Sequence, residues 1–364
     1  MFAAESQSRR LRIPVLIAAA LLLLFYWLHR EHAQGDAPTT GSEWSRFAYV
    51  QYATDVHTMC NAYMIFESLH RLGSKAERVL LYPKEWDLED DDSDDRAAQL
   101  LHRSAADFGV KLKPVQLLGP DGAERPGTLE EPSTWRTSIT KLRIFELEEY
   151  DRVLYFDNDA LLFQHMDELF SLPSAPVVMP RRYWADSPHW EWPLSGTLML
   201  VEPNKAEMEL LWERLQIWRY VPERADCQTW DDDLLDDRFM SSALVLPHRP
   251  YLLQTSEFRL TDHDGYLGRH RGPEHQLQWD GNREILQAKL VHFDDWPLPK
   301  PWRAWSDEAV EEMQPDCYQG YCDNREIWIG LYDSFRKRRK DICKILEVPA
   351  PPDWQEYKRQ VGAD

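Results

Sequence analysis

The chain has 364 residues and a formal net charge of −20, with 42 Lys and Arg against 62 Asp and Glu. Such an acidic balance excludes a protein that binds nucleic acid by neutralising its phosphates, because that mode of binding needs a basic face. Hydrophobic residues make up 43% of the chain, which is enough for a sizeable core. The 16 Trp residues offer flat apolar faces that suit sugars and nucleotides as well as a core.

An uncharged apolar segment at residues 13–28 follows three arginines near the N-terminus. As a helix it would be roughly 24 Å long, which suits a thin secretory bilayer. A cleaved signal peptide has a segment of similar length, but no small-x-small cleavage site follows this one. We predict an uncleaved signal anchor, with residues 1–12 as a cytosolic tail. Residues 29–43 then form a flexible stem, and residues 44–364 form one luminal domain.

Strands and helices are predicted to alternate after the stem. Apolar, β-prone runs predict strands at residues 47–52, 78–82, 112–118 and 152–156. Apolar residues at helical spacing predict helices at residues 58–71, 96–108 and 140–147. Thr54-Asp55 provides an N-cap for the first of these helices. The alternation is typical of an α/β domain whose mainly parallel central sheet is flanked by helices.

Two carboxylates follow the strand at residues 152–156 directly, in the sequence Asp157-Asn158-Asp159. Open α/β sheets bind ligands at the carboxyl ends of their strands, and two acids spaced this way can face one cation there. Oxygen ligands suit Mn²⁺ or Mg²⁺, and such an ion can stabilise a departing diphosphate. Because Asp is also common in caps and turns, the pattern by itself leaves a purely structural role open.

Five segments between residues 46 and 305 occur in an order that points to one family. They are Phe47-Ala48-Tyr49-Val50 with Thr54-Asp55, the run from Thr140-Lys141-Leu142 through Asp157-Asn158-Asp159 to Phe170, Ser195-Gly196 with Leu198–Val201, Asp231–Leu235, and His292-Phe293 with Lys300-Pro301-Trp302. Together they resemble glycosyltransferase family 8, the glycogenin-like nucleotide-sugar transferases, and an ordered set is far more specific than one motif. The variant most similar is the fungal Golgi N-acetylglucosaminyltransferase branch, which shares the N-terminal anchor and a Trp-rich, acidic catalytic domain.

The resemblance implies a GT-A fold, a UDP-sugar donor, a divalent cation and retention of anomeric configuration. Carried over by position, Asp157, Asp159 and His292 would ligate the cation. An imidazole beside two carboxylates favours Mn²⁺, with Mg²⁺ as the alternative. Without the surrounding motif, His292 would be read as a strand-end histidine bonded to the backbone.

The resemblance also implies roles for other residues in the same motifs. Lys300 would hold the diphosphate, and Lys141 would contact the donor phosphate or sugar. Asp231 and Asp232, with Lys141, would act at the transferred sugar and the acceptor. The residues implied to bind the nucleotide sugar are Tyr52, Thr54, Asp55, Asn158, Ser195 and Gly196. Each has a simpler alternative, such as a helix cap for Thr54 and Asp55 or a solvated acidic run for Asp231 and Asp232.

Two positions depart from the family pattern. Leu194 stands where much of the family has Asn, and Asp232 stands where it has Gln. Because the second position lies near the reacting centre, donor choice or reaction path could differ from the family, and we assign no nucleophile.

Five cysteines, at positions 60, 227, 317, 322 and 343, leave at least one without a partner in the same chain. Cys317 and Cys322 are close enough in sequence for a small disulfide loop in an oxidising lumen, although two free thiols fit the spacing equally well.

These observations predict a retaining, Mn²⁺-dependent transferase anchored in the Golgi membrane with a single-pass, type II topology. It would move a sugar, first of all N-acetylglucosamine, from a UDP-sugar to a glycan or glycoprotein acceptor, with no nucleic-acid partner. Glucose, galactose and xylose stay open as donor sugars. The alternatives are an inactive, membrane-anchored glycan-binding or scaffold protein on the same fold and a metal-dependent luminal hydrolase.

Overall fold

The computed structural model describes residues 41–86, 95–119, 124–125, 134–218, 231–268, 278–317, 320–345 and 347–362. The predicted tail, the predicted anchor and residues 29–40 of the predicted stem lie outside these ranges. Within them, no helix is both long and apolar enough to cross a lipid bilayer.

The strands are short and are numbered here in chain order. They are β1 (Phe47–Tyr52), β2 (Glu77–Pro83), β3 (Lys111–Val115), β4 (Leu117–Leu118), β5 (Glu124–Arg125), β6 (Arg152–Phe156), β7 (Ala160–Leu162), β8 (Val177–Pro180), β9 (Leu198–Val201), β10 (Leu244–Leu246), β11 (Leu253–Gln254) and β12 (Leu290–His292).

The α-helices are α1 (Gly41–Trp44), α2 (Val56–Arg71), α3 (Arg96–Phe108), α4 (Lys205–Trp218), α5 (Asp231–Phe239), α6 (His248–Tyr251), α7 (Asp264–Leu267), α8 (Gly281–Gln287), α9 (Asp307–Met313), α10 (Asp323–Arg338) and α11 (Trp354–Val361). One long 3₁₀ helix covers Thr134–Glu146, and short ones cover Asp167–Ser171, His189–Glu191 and Thr255–Arg259. A π-helical turn covers Arg339–Cys343.

A seven-stranded sheet in the order β10-β8-β9-β6-β1-β2-β3 forms the centre of the molecule. Its β6-β1-β2-β3 half is parallel throughout, whereas β9 runs antiparallel to both of its neighbours. Along β1, Tyr49 packs into one hydrophobic cluster while Ala48 and Val50 pack into another. Both faces of the sheet are therefore covered, as parallel strands require. The predicted α/β class and mainly parallel sheet are confirmed.

A smaller sheet, β11-β12-β7, lies beside the main one and explains how distant residues meet. β7 begins directly after Asp159, and its first residue, Ala160, pairs with His292 at the end of β12. On the other side, β11 pairs with β12 in parallel, so that Gln254 lies opposite His292. The backbone N–H of Phe293 also donates to the carbonyl of Asp159 at 3.0 Å.

The local predictions agree with most of these elements. The helix at residues 96–108 and the strand at 152–156 have the predicted bounds, and Asp55 is the N-cap of α2, with Thr58 completing a capping box. The predicted strand at 112–118 is instead two strands, β3 and β4. The predicted helix at 140–147 is part of a longer 3₁₀ helix, and it holds β4 through Thr140, whose hydroxyl accepts from the Leu118 N–H at 2.9 Å.

Two disulfides cross-link the described residues. Cys317 and Cys322 form the predicted small loop, with 4.5 Å between their Cα atoms. Cys60 in α2 pairs with Cys343 in the π-helical turn, a connection across 283 residues that the sequence spacing did not indicate. Cys227, the fifth cysteine, lies outside the described residues.

Candidate active site

A cavity of about 350 Å³ opens at the carboxyl ends of β1 and β6. This is the edge at which open α/β sheets bind ligands. Its lining comprises Tyr52, Thr58, Ser138, Lys141, Tyr155, Asp157, Asn158, Asp159, Arg182, Trp184, Thr197, Asp231, Asp232, His292, Lys300 and Trp302. Nine of the residues predicted for the site from the sequence are in this set.

One end of the cavity holds the predicted metal ligands. One ligand atom each from Asp157, Asp159 and His292 lies within 4.8 Å of the other two. His292 Nε2 is 3.2 Å from Asp159 Oδ1 and 4.0 Å from Asp157 Oδ2. Two carboxylates and one imidazole that converge in this way fit Mn²⁺, and their oxygen ligands also accept Mg²⁺. The structure does not identify the ion, so Mn²⁺ stays a prediction.

The ring of His292 is held by a neighbour that the sequence did not single out. Gln254 Oε1 lies 2.7 Å from His292 Nδ1. An amide oxygen can only accept, so Nδ1 carries a proton and Nε2 is the ring nitrogen that faces the two acids. Hydrogen bonds of this kind orient metal-binding histidines in many proteins.

Lys300 reaches the same end of the cavity, where its ammonium donates a hydrogen bond to Asp159 Oδ2. Burial favours the neutral acid, but Lys300 and His292 outweigh it and lower the pKa of Asp159 below its ordinary value. Asp159 is therefore an anion at neutral pH, which is the state that a cation requires.

Lys141 connects the metal-ligand end of the cavity to a second pair of acids. Its Nζ atom lies 3.2 Å from Asp157 Oδ1 and 2.5 Å from Asp231 Oδ2, and its side chain is only 4% exposed. Burial alone would lower the pKa of Lys141, but Asp157 and Asp231 outweigh burial and raise it well above the ordinary value. The lysine thus stays charged at the centre of the site.

Asp231 and Asp232 begin α5, and both line the cavity. Asp231 Oδ1 accepts from the Ser138 hydroxyl at 2.8 Å, and Asp232 Oδ1 accepts from the Gly196 N–H at 2.6 Å. Burial, followed by the charge of Asp231, raises the pKa of Asp232 to about 7. A carboxyl group with this pKa can accept or donate a proton near neutral pH.

Four of the predicted nucleotide-sugar residues, Thr54, Asp55, Ser195 and Gly196, are not among the residues that line the cavity. Thr54 and Asp55 form the N-terminal turn of α2, where Asp55 Oδ1 accepts from the N–H groups of His57 and Thr58. Ser195 is fully buried, and its hydroxyl bonds the Thr197 hydroxyl at 3.1 Å. Gly196 contacts Asp232, to which its N–H donates. Nucleotide binding by these four residues stays a prediction.

Asn158, between the two predicted metal ligands, belongs to a buried chain of hydrogen bonds. Its side chain donates to the Tyr52 carbonyl at 3.0 Å and lies 3.4 Å from the Asn61 amide. Asn61 in turn accepts from Arg339 at 2.6 Å. Arg339 belongs to a basic segment at residues 336–340, but it is buried. It therefore supports the site from inside the protein, through Asn61 and Asn158.

Sequence reasoning missed seven lining residues that belong to this cavity. Trp302 follows the predicted Lys300-Pro301 pair, and Tyr155 and Thr58 belong to predicted elements, so their proximity was indirectly indicated. Thr197 lies between Gly196 and Leu198 of a predicted motif and was indicated in the same way, whereas spacing gave no signal for Ser138, Arg182 and Trp184.

No protein-family model matches the chain. Among solved structures, the galactosyltransferase LgtC, crystallised with donor and acceptor sugar analogues, is similar at 15% identity and a TM-score of 0.45, covering 85% of this chain and 99% of that one. The glycosyltransferase GlyE of Streptococcus pneumoniae is similar at 16% identity and a TM-score of 0.46, covering 81% and 64%. Likenesses this weak assign no activity.

Sequence relatives give a firmer result. The chain is 40% identical over 362 residues to glucose N-acetyltransferase 1 of Aspergillus fumigatus, covering 95% of this chain and 90% of that protein. It is 42% identical over 310 residues to glucose N-acetyltransferase 1 of Gibberella zeae, covering 84% and 64%. These relatives confirm the prediction of a transferase, whereas membership of family 8 stays a prediction. The chain therefore belongs to the glucose N-acetyltransferase 1 family.

Proposed function

We propose that the chain is a retaining glycosyltransferase that moves N-acetylglucosamine from a UDP-sugar to a glycan or glycoprotein acceptor. The observation that carries the proposal is the order of groups along the cavity. Asp157, Asp159 and His292, with Lys300 beside them, form a site for a cation and a diphosphate, and the Lys141, Asp231 and Asp232 side chains follow directly.

The metal-ligand end suits the departing half of a nucleotide sugar. A divalent cation held by the two acids and His292 would offset the negative charge that develops on the diphosphate. Lys300 carries a positive charge at the same place and can contact the diphosphate directly. We propose Mn²⁺ as the ion, with Mg²⁺ as the weaker alternative, because the ligand set contains an imidazole.

The central groups suit the sugar that is transferred. In the proposed step, the acceptor hydroxyl oxygen forms a bond to the anomeric carbon, and the bond from that carbon to the diphosphate oxygen breaks. UDP leaves with the electron pair, and the hydroxyl proton passes to a base. Asp232 is suited to receive that proton, because its pKa of about 7 leaves it partly ionised at neutral pH. Lys141 would position the sugar and pair with Asp231.

The donor sugar is proposed from the names of the relatives. Those names combine glucose, an N-acetyl group and transfer. Glucose itself carries no nitrogen, so transfer of N-acetylglucosamine accommodates all three terms.

We also propose that residues 13–28 anchor the enzyme in the Golgi membrane, with the catalytic domain in the lumen. The apolar segment and the arginines before it support this topology. Protease treatment of sealed Golgi vesicles tests it. Protection of a C-terminal epitope until detergent is added is the expected result, whereas immediate digestion contradicts a luminal domain.

The decisive assay measures UDP release from a panel of UDP-sugars, with and without Mn²⁺ and with mixed glycan acceptors. We expect turnover of UDP-N-acetylglucosamine that needs Mn²⁺ and falls at least about 100-fold in Asp159→Ala and His292→Ala, consistent with loss of a metal ligand. Asp151→Asn, a change at an exposed acid outside the cavity, is the matched control. NMR of the product anomer tests retention.

Three other outcomes would contradict the proposal in different ways. Release of coenzyme A from acetyl-coenzyme A, in place of UDP release, would mean that the group transferred is acetyl. Glycan binding without turnover of any donor would favour the scaffold alternative. Free sugar released at a rate independent of acceptor would indicate a hydrolase.

A further inference from the structure

The cavity is also lined by groups that the proposed function does not use. From the metal-ligand end, Lys141 leads from Asp157 to Asp231, and Asp232 lies next to Asp231 in the chain. The guanidinium of Arg182 is 4.0 Å from Asp232 Oδ2, and Trp184 lines the same cavity. Arg182 therefore lies beside the carboxyl group that is proposed to receive the acceptor's proton.

A tight turn presents these two side chains together. The Ala185 N–H donates to the Arg182 carbonyl at 3.1 Å, and the Arg182 N–H donates to the Pro193 carbonyl at 2.8 Å. Arg182 and Trp184 both line the cavity, whereas Tyr183 between them is 3% exposed and packs into the core.

Trp184 rests on a rigid support. Its ring meets the Tyr183 ring edge to face at 5.0 Å, and Tyr183 also contacts His248 at 4.5 Å and Tyr266 at 5.2 Å. The Tyr183 hydroxyl accepts from the Gln254 N–H at 3.0 Å, which joins this support to the residue that orients His292. A tryptophan held in this way offers a fixed apolar face at little further entropic cost.

The guanidinium of Arg182 makes no short hydrogen bond to its two acidic neighbours. Its ion pairs to Asp232 and Asp233 span 4.0 and 3.6 Å, which is beyond hydrogen-bonding distance. Its Nε–H is buried and has no partner among the residues that the structure describes. A buried donor without a partner is costly. The Arg182 side chain as a whole is 22% exposed and lines the cavity, where it can donate to a ligand oxygen.

We infer that Arg182 and Trp184 form the acceptor subsite and that it binds a neutral pyranose ring. The apolar face of the ring would stack on Trp184, its hydroxyls would accept from Arg182, and the attacking hydroxyl would lie at Asp232. A flat aromatic face and a guanidinium with free donors match the two kinds of surface that a sugar presents. The inference rests on the proposed function, because it takes the groups around His292 and Lys300 for the diphosphate and Asp232 for the proton acceptor.

Saturation-transfer NMR tests the subsite directly. The probes are methyl β-glucopyranoside, methyl β-galactopyranoside and methyl α-mannopyranoside, each added to protein saturated with UDP and Mn²⁺. Calorimetry of UDP with Mn²⁺ on the same samples reports the donor end separately. We expect at least one glycoside to bind the wild type. In Trp184→Ala its affinity should fall about tenfold, while UDP affinity stays within about twofold.

Matched variants keep the test interpretable. Trp184→Phe retains an aromatic face and should lose less affinity than Trp184→Ala, which guards against misfolding as the cause. Trp190→Ala removes a tryptophan that is 69% exposed and outside the cavity lining, so it should change nothing. Arg182→Gln should weaken glycoside binding without changing the affinity for UDP.

Several results would overturn the inference. They are failure of all three glycosides to bind the wild type, unchanged glycoside binding in Trp184→Ala, and weaker UDP binding with unchanged glycoside binding. If UDP itself does not bind the wild type in the presence of Mn²⁺, the proposed function fails, and that result is separate from any effect of the Trp184 variants.

Discussion

His292 and Gln254 face each other on adjacent strands, with 2.7 Å between His292 Nδ1 and Gln254 Oε1. Gln254 is 1% exposed, and its backbone N–H is bonded to the Tyr183 hydroxyl. The amide oxygen is therefore fixed in place before any ligand arrives. Its role is to hold the imidazole with Nε2 directed at Asp159, so Gln254 is a positioning residue for the metal site.

The first prediction concerns this hydrogen bond. Gln254→Ala should weaken Mn²⁺ binding about tenfold or more, because the ring loses its fixed orientation and tautomer. Gln254→Glu, which still accepts a hydrogen bond at the same place, should retain most of the affinity. Mn²⁺ titration followed by electron paramagnetic resonance measures binding without relying on turnover. Gln287→Ala, an exposed amide in α8, is the control, and equal Mn²⁺ affinity in Gln254→Ala and the wild type would refute the role.

The second prediction concerns Gly196, whose N–H donates to Asp232. A Cβ atom added at this position would lie 2.7 Å from Asp232 Oδ1 and 2.9 Å from Leu235 Cδ1. Gly196→Ala should therefore displace the start of α5, lowering the free energy of unfolding by about 2 kcal/mol and reducing UDP release at least tenfold.

Gly330→Ala provides the matched control for that change. Gly330 lies inside α10, and a Cβ atom there meets nothing within 4 Å. Alanine should be neutral or should stabilise the helix by up to about 1 kcal/mol. Urea unfolding measures both variants, and a Gly196→Ala protein as stable and active as the wild type would mean that α5 tolerates the shift.

The sequence predicted those parts of the site whose signal is local. The strand at residues 152–156 and the acids after it lie next to each other in the chain, so their position at the sheet edge follows from the pattern. His292 is brought to Asp159 by pairing between β7 and β12, and only the family resemblance indicated that contact. Arg182 and Trp184 reach the cavity because a turn packs against Tyr183, and neither periodicity nor composition encodes such a tertiary contact.

The third prediction concerns the pH dependence of stability at Asp232. The pKa of Asp232 in the folded protein is raised to about 7. The neutral carboxyl therefore contributes fully to folding stability only below the pKa that Asp232 has in the unfolded chain. That contribution is lost as the pH rises towards 7, because folding must then bury the negative charge of Asp232 beside Asp231. Asp232→Asn removes the charge, and its amide oxygen can still accept from Gly196.

The variant should therefore gain stability over the wild type as the pH rises. We expect similar melting temperatures at pH 4.5 and an advantage of about 2 kcal/mol for Asp232→Asn at pH 8, equivalent to roughly 5 °C. Asp186→Asn, at an exposed position, should show no such trend. Differential scanning calorimetry at several pH values measures this difference. A stability gain of Asp232→Asn that shrinks with rising pH would contradict the predicted direction.

The fourth prediction compares the two disulfides. Cys60–Cys343 spans 283 residues and Cys317–Cys322 spans 5, so the first restricts the unfolded chain far more. Cys60→Ala with Cys343→Ala should cost about 4 kcal/mol of unfolding free energy, against about 2 kcal/mol for the second pair. The first pair should also raise the KM for the UDP-sugar, because Asn61 and Arg339, which support Asn158, lie beside those cysteines. Urea unfolding and donor kinetics of the two double variants provide the comparison. Equal losses of stability would contradict the argument from loop length. An unchanged KM in the first variant would show that this disulfide does not support the site.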